Sequence, residues 1–380
     1  MDLRQRTIPC SDYSEWKIDL EIKGYEVLGN QPDPNRPGFC TLSFQSAPEH
    51  VRGPDATLVA AFAGAAPVPA GLSDTQKRTA HAIVNIFETG AVLGMYGQVT
   101  LIDGDSGHLT FGRSQTTLST GNLARLIGAY CDNPGARFGS RLKPYLPALR
   151  DRDVSLDHNT RLHNLLRATA DDPVMRDTQD AFFDRTYWEP AAAEAAAMTI
   201  RTPLGVATVY DSVVHGSWSR LRALTDEQAG TLGKLGEQGW IKAYIATRRN
   251  WLATHGRQDL RSTVYRMDVL AGLASQERWA LELPLLVRDQ EISELSLAAR
   301  PPGCYDGPAA GSRVLAVASP FARGADVRLV QLGLSDAGLP IKADGVFGSS
   351  SSQVVKQFQQ AQGLPVTGVA DIDLIARLAV

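Results

Sequence analysis

The sequence predicts a mainly helical α+β protein built from more than one domain. Three observations carry this expectation. From Ser73 to about residue 290 the apolar residues recur mainly at helical spacing. One stretch inside that region, VTLIDGDSGHLTFGRSQ (99–115), instead places two β-rich runs around a turn of Asp, Gly and Ser. Two small-residue stretches containing proline, FAGAAPVPAGL (62–72) and ARPPGCYDGPAAG (299–311), read as linkers and cut the chain into three.

Length and composition agree. A chain of 380 residues exceeds one ordinary domain. Its 43% hydrophobic and 21% charged residues are the balance of a soluble globular protein. A formal net charge of -3 gives no reason to expect a nucleic-acid or membrane-surface partner. No run approaches the roughly 18 apolar residues of a membrane helix, and the first residues lack the apolar core of a signal peptide. Cys10, Cys40, Cys131 and Cys304 lie far apart with no C-x-x-C pairing, which argues against zinc. A Cys10–Cys40 disulfide is compatible with the sequence but not fixed by it. His81 and His108 lack metal-like spacing, and no metal or organic cofactor is expected.

Taken in order, residues 1–61 form an N-terminal unit in which WKIDLEI and CTLSF alternate around the turn-rich GNQPDPNRPG. That pattern suggests a small β-rich unit whose role is not readable. After the 62–72 linker, residues 73–298 form the helical domain; a 299–312 linker follows, and 313–380 form a compact unit of their own.

The helix that opens the long domain is well marked. Ser73 and Gln76 make an S-x-x-Q capping box, Ile83, Ile86 and Phe87 sit at helical spacing, and Gly90 is the stop. Glu88 therefore falls in the last turn, facing the negative end of the helix dipole, which favours the protonated carboxyl. An apolar wall from Phe87, Met95 and Tyr96 would act in the same direction by desolvation. Both are what a general acid needs. Asp105 falls in the polar hairpin turn, where a carboxylate stays ionised and suits a general base. Thr110 could help hold the water that Asp105 activates. The competing view is plain: Glu at helix ends and Asp in hairpin turns are common structural residues.

The order of a helix ending in Glu, a hairpin bearing Asp and then a Thr resembles the lysozyme superfamily, and specifically the family 46 chitosanases. GDSGHLTFG (104–112), TGNLARLI (120–127), KPYLPAL (143–149), QDAFFDRTYWEP (179–190) and YDSVVHG (210–216) each resemble a stretch of that family, in the family's order. The resemblance implies a lysozyme-like two-lobed catalytic domain with a β-hairpin. It implies Glu88 as acid and Asp105 as base with Thr110, acting with inversion, which needs the two carboxyls roughly 6.5–9.5 Å apart. It also implies a buried network behind Glu88, with Asp211 at its Asp position and Arg248 and Arg261 at its two Arg positions. An ordinary interhelical ion pair would equally well explain Asp211 and Arg248. His215 reads as a hydrogen-bonded core histidine.

One departure bears on substrate. Where such chitosanases carry TGD, this chain has TGN, with Asn122. Losing that carboxylate removes an ion pair with a cationic sugar, whereas an amide suits a neutral N-acetyl group. Arg113 and Arg125 add positive charge, further disfavouring polycationic chitosan. Alternatively, Asn122 simply caps a helix starting at Leu123. Asn122, Arg113 and Tyr96 are the expected substrate-binding residues.

The last unit, GADVRLVQLGL through GLPVTGV and DIDLIARL, resembles the peptidoglycan-binding domain 1 family over nearly its whole length. It reads as three short helices starting near Asp326, Ser350 and Asp371, joined by turns at DGVFG and VTGV. Asp344, Gly345, Phe347 and Gly348 are expected to be structural turn residues. Together the resemblances imply a monomeric peptidoglycan hydrolase, a lysozyme-like muramidase with a tethered wall binder; a chitosanase and a non-catalytic wall-binding protein are the alternatives. Its partners would be peptidoglycan glycan strands. Acting in the periplasm or at the wall without a signal peptide, it would travel by a non-classical route, as a phage-type lysin or an injected antibacterial effector. The effector route would add a secretion machine and a cognate immunity protein. The additional N-terminal unit favours the effector.

Overall fold

The computed structural model describes residues 4–9, 25–32, 39–46, 71–101, 107–113 and 115–378. It is mainly helical with small sheets, as expected, and it divides into two compact units. One comprises Met1–Val92 with Asp184–Leu297, the other Leu93–Phe183 with Ala298–Val380.

In the first unit, strands β1 (Arg4–Pro9), β2 (Tyr25–Pro32) and β3 (Phe39–Ser46) form an antiparallel sheet of order β1–β3–β2. The CTLSF run lies in β3, whereas WKIDLEI falls outside the described residues. The turn-rich GNQP segment proves to be the end of β2. Its Pro32 is tolerated because β2 is an edge strand, where a missing N–H breaks no central ladder. Cys40 sits opposite Ile8 and Pro32; Cys10 lies outside the described residues.

The helix expected after Ser73 spans Asp74–Thr89. Ser73 Oγ accepts from the Gln76 N–H at 3.2 Å and Gln76 Oε1 accepts from the Ser73 N–H at 2.8 Å, so two otherwise orphaned donors satisfy each other's residues. Gly90 ends the helix at φ 74°, a left-handed conformation that costs glycine least. Ile83, Ile86 and Phe87 are buried. The π-helical turn Asp184–Trp188 is pinned to this helix by Lys77 Nζ on Asp184 Oδ2 at 2.6 Å. His81, Trp188 and Tyr210 close the same spot as three mutually packed rings.

The Pro203–His215 helix is buried from Leu204 to Ser212, consistent with its nearly continuous apolar sequence. Thr202 caps it by accepting from the Gly205 N–H at 3.2 Å. Leu232–Thr254, kinked at Gly236, and Tyr265–Ser275 pack beside it. These three helices bring Asp211, Arg248 and Arg266 to one place.

In the second unit the expected hairpin is real. Val99 pairs with Phe111 and Thr100 with Thr110, and a third strand, Thr116–Thr117, extends the sheet. The turn that carries Asp105 lies outside the described residues. Leu109, Phe111 and Leu118 enter a core shared with the helices Asn122–Asp132, Thr160–Thr169 and Pro173–Phe183.

The C-terminal module of this unit has the three expected helices, Ala325–Asp336, Ser349–Ala361 and Ile372–Leu378, around Val327, Val330, Phe347, Val355 and Phe358. Its turns are held by two buried glutamines that sequence inspection did not single out. Gln331 accepts from the Gly345 N–H and donates to Asp344, Val346 and Ser351. Gln359 accepts from the N–H groups of Thr367 and Gly368 and donates to the Thr367 hydroxyl and the Val369 carbonyl. Asp344, Gly345 and Phe347 are structural, as expected: the carboxylate binds Gln331 and the Val346 N–H, Gly345 has φ 77°, and Phe347 is core. Replacing Gln359 by Leu strands several polar groups at once, each costing about 1–3 kcal/mol. We expect urea unfolding of the variant to show a loss on the order of 3 kcal/mol; a loss below about 0.5 kcal/mol would contradict this role.

Candidate active site

Glu88 stands at the outer end of a chain of charges that begins deep in the first unit. Asp211 and Arg248 are wholly buried, with Arg248 Nη1 donating to Asp211 Oδ2 at 2.5 Å. The other oxygen, Asp211 Oδ1, accepts from Arg266 Nη1 at 2.8 Å. Arg266 then uses its second terminal nitrogen, Nη2, to reach Glu88 Oε1 at 2.5 Å. Glu88 itself is 44% exposed, against 3% for Arg266. Thus one carboxylate at the surface is positioned by a guanidinium whose own placement is fixed by a buried carboxylate.

The charges balance by position. Burial alone would disfavour ionised Asp211, but Arg248 and then Arg266 outweigh it and hold its pKa below the usual carboxylate value. Burial also opposes the Arg266 charge, and Asp211 with Glu88 more than compensates, keeping that guanidinium firmly protonated. Arg248 further donates to Ser212 Oγ and, through Nη2, to His215 Nδ1, both at 3.0 Å. His215 must therefore be neutral, with its proton on Nε2. Desolvation first, then Arg248 and Arg266, push its pKa down to about 3. The expectation of a hydrogen-bonded core histidine holds for the hydrogen bond, but the ring is half-buried at the end of its helix, where it is the last acceptor of the network.

The network expected from the resemblance is thus present with one correction. Arg261 takes no part in it. Its guanidinium donates to the His255 and Gly256 carbonyls and to Gln258, closing the C-terminal turn of the preceding helix. The residue that bridges Asp211 and Glu88 is Arg266, five positions later. The Arg261 position belongs to a four-residue helix, Gln258–Arg261, that points its arginine at local backbone, whereas Arg266 lies on the buried face of Tyr265–Ser275. A clue was available in YRMDVL, where Arg266 sits beside Met267 and one turn before Leu270 on an apolar stripe. An arginine there must be buried and matched.

Of the three residues expected as an apolar wall for Glu88, Phe87 shares its unit. Phe87 turns inward, packing edge-on against Tyr265 and under the Arg266 guanidinium at 5.4 Å. Tyr265 donates its hydroxyl to the Phe87 carbonyl at 2.6 Å, tying the end of the Glu88 helix to the Arg266 helix. Met95 and Tyr96 belong to the second unit. Tyr187, half-buried, is within electrostatic reach of Glu88: burial first, then the Glu88 charge, raise its phenol above the ordinary value.

In the second unit, Thr110 is buried in its strand and its hydroxyl donates to the His108 carbonyl at 3.1 Å. Asn122 is the first residue of its helix, not its cap. Gly121, at φ 77°, occupies the cap position, and the Asn122 N–H is met by the Thr120 hydroxyl at 3.3 Å. The capping explanation for Asn122 therefore fails. Arg113 and Tyr96 are not free to bind substrate as expected. The Arg113 guanidinium, 5% exposed, lies over Phe183 and pairs with Asp180, and the Tyr96 hydroxyl donates to the same Asp180 carboxylate at 2.6 Å. The positive charge read at Arg113 is consequently neutralised where it stands. Arg125 remains exposed. Among the described residues no cluster of three or more His, Cys, Asp or Glu could hold a metal ion, and no helix is long and apolar enough to cross a membrane.

Comparison with known proteins gives the family of each part of the chain. The glycosyl hydrolase family 46 profile matches residues 82–285, and that of a peptidoglycan-binding domain matches 323–378. A chitosanase of Bacillus subtilis (strain 168) is 32% identical over 239 residues, covering 58% of this chain and 85% of the relative. A chitosanase of Streptomyces sp. (strain N174) is 29% identical over 209 residues, 51% of this chain and 73% of the relative. Among solved structures, native chitosanase from Bacillus subtilis MY002 aligns with a TM-score of 0.48 and 30% identity, over 57% of this chain and 96% of that one.

Two predictions follow from the network. Arg266→Ala leaves buried Asp211 half-compensated and should cost about 3–5 kcal/mol in urea unfolding, whereas Arg261→Ala should stay within about 0.5 kcal/mol. Equal effects would contradict the assignment. The second concerns pH. The unfolded chain protonates His215 near the ordinary value of about 6.5, but the folded chain does so only near 3. Stability is therefore present above the unfolded value and is lost as pH falls through that window. The stabilisation from Asp211, whose folded pKa is also depressed, disappears at still lower pH. His215→Gln, which keeps an acceptor for Arg248, should flatten the slope of stability against pH between about 6.5 and 4; an unchanged slope would contradict the neutral ring.

Proposed function

We propose that this chain, which belongs to glycosyl hydrolase family 46, is a wall hydrolase that cuts the β-1,4 glycan of peptidoglycan. The observation that carries this reading is the peptidoglycan-binding module, matched over 323–378 and built into the same unit as Asn122 and Thr110. Asn122 supports it: an amide that caps nothing, in place of the acid expected of a chitosan binder, suits a neutral N-acetyl group. In the proposed mechanism Glu88, held by Arg266, protonates the leaving glycosidic oxygen. Asp105 activates the water that attacks the anomeric carbon, with help from Thr110 five positions later, and the configuration inverts. The buried charges of Asp211, Arg248 and Arg266 never meet the glycan. They fix where the Glu88 carboxyl stands.

Chitosan is the second reading, favoured by the activity named for both curated relatives. The neutralised Arg113 removes one of the arguments against it. Digesting purified sacculi and, separately, chitosan, then identifying the sugar at each new reducing end, decides between them. We expect muramic acid ends from sacculi and little release from chitosan; efficient chitosan cleavage with intact sacculi would overturn the proposal. Glu88→Gln should lower turnover on the cleaved polymer by about 10²–10⁴ while leaving the unfolding midpoint nearly unchanged. Wild-type turnover in that variant would remove Glu88 from the acid role. A wall hydrolase must act outside the cytoplasm, so export to the periplasm should lyse cells and cytoplasmic expression should not. Absence of lysis on export would count against a delivered antibacterial role.

A further inference from the structure

A wall-binding domain on a flexible linker is free to sample many positions and raises local substrate concentration without affecting the fold it is attached to. The C-terminal module is built differently. Its first helix, Ala325–Asp336, is buried on nearly every side: all but Leu329 and Asp336 are interior. One face supplies Val327, Val330 and Leu334 to the module's own core. Leu332 belongs to the other core, that of the hydrolase lobe, beside residues such as Ile127, Leu165 and Met175, and Leu329 packs against it. A helix buried on nearly every side needs apolar cover for its apolar residues and partners for its polar ones.

Buried polar side chains cross this joint in both directions. Asn164, 1% exposed, donates to Ser335 Oγ at 3.0 Å and to the Ile341 carbonyl at 2.7 Å, and accepts from the Ala343 N–H at 2.9 Å. Its last acceptor position takes Arg167 from its own helix. Arg328, 3% exposed, crosses in the opposite direction, donating to the Arg167 carbonyl and, at 2.6 Å, to that of Gly303, with Asp171 at 3.4 Å. Arg161 closes the C-terminal carbonyls of the module helix at Ser335 and Asp336.

The segment read as a linker is pinned as well. Cys304, 2% exposed, packs with Tyr96 and Ala170. The Tyr305 N–H donates to Asp171 Oδ1 at 2.7 Å, and its ring lies so close to Gly345 that a Cβ there would meet it at 2.4 Å.

We infer that the C-terminal module is an integral half of the lobe that carries Thr110 and Asn122, so that the two fold as one cooperative unit and the module holds its ligand at a single fixed position relative to that lobe. The inference stands whether or not peptidoglycan is the substrate. A tether would leave Asn164, Arg328 and the Leu332 face in water, where none of this side-chain selection has a purpose.

The test is amide hydrogen exchange on the full-length protein without substrate, comparing wild type with Val355→Ala, a small truncation deep in the module core. In a single cooperative unit, the slowest amides of the lobe helices at 123–131 and 162–169 should speed up by the same factor, about fivefold or more, as those at 325–336 and 349–361. Acceleration confined to 313–378 would overturn the inference. The reciprocal variant, Ile127→Val in the lobe core, should accelerate exchange at 349–361; an unchanged module would overturn it equally.

Discussion

The site depends on one guanidinium serving two carboxylates. Arg266 spends one terminal nitrogen on buried Asp211 and the other on surface Glu88, and both bonds are directional as well as charged. A buried aspartate between two arginines would be a poor way to gain stability alone, because desolvation consumes much of the attraction. Its value here is geometric. Asp211 and Arg248, wholly interior and fixed by three helices, leave Arg266 one orientation, and that orientation sets the position of the Glu88 carboxyl. The Tyr265–Phe87 bond supports this placement from the backbone side, joining the two helix ends that carry Arg266 and Glu88.

The second unit uses neutral groups for a comparable purpose. Asn164, Gln331 and Gln359 each place a planar amide inside the structure and satisfy it from both ends. Each gives a turn or a joint one geometry, because any other leaves a buried donor or acceptor unmatched. In the first unit charge fixes the Glu88 carboxyl; in the second, amides fix loops and, together with buried Arg328 and Asp171, the module.

Much of this was legible in the sequence where local chemistry is decisive. The capping box and Gly90 placed Glu88 within the last helical turn, and alternation around Asp-Gly placed Val99–Thr100 against Thr110–Phe111. The module's helices and turns followed from its motif spacing. Readings failed where partners are distant in sequence. Arg261 and Arg266 look alike from composition, and what distinguishes them is which face of which helix each occupies. Arg113 and Tyr96 read as ligand-facing because Asp180, which neutralises the one and binds the other, lies more than sixty residues away. The linker at 299–312 has a linker's composition, yet Cys304 is buried and the Tyr305 ring packs against Gly345, which no local rule identifies.

The central claim is that Asp211 influences catalysis only through Arg266 and thereby through Glu88. A double-mutant cycle on turnover tests it most directly, using Asp211→Asn and Glu88→Gln separately and together at a temperature where all three variants are folded. If the account is right, Asp211→Asn slows the wild-type enzyme but adds almost nothing once Glu88 is glutamine. Losses that simply multiply in the double variant would contradict it, because Asp211 would then act on the reaction by a route that does not pass through Glu88.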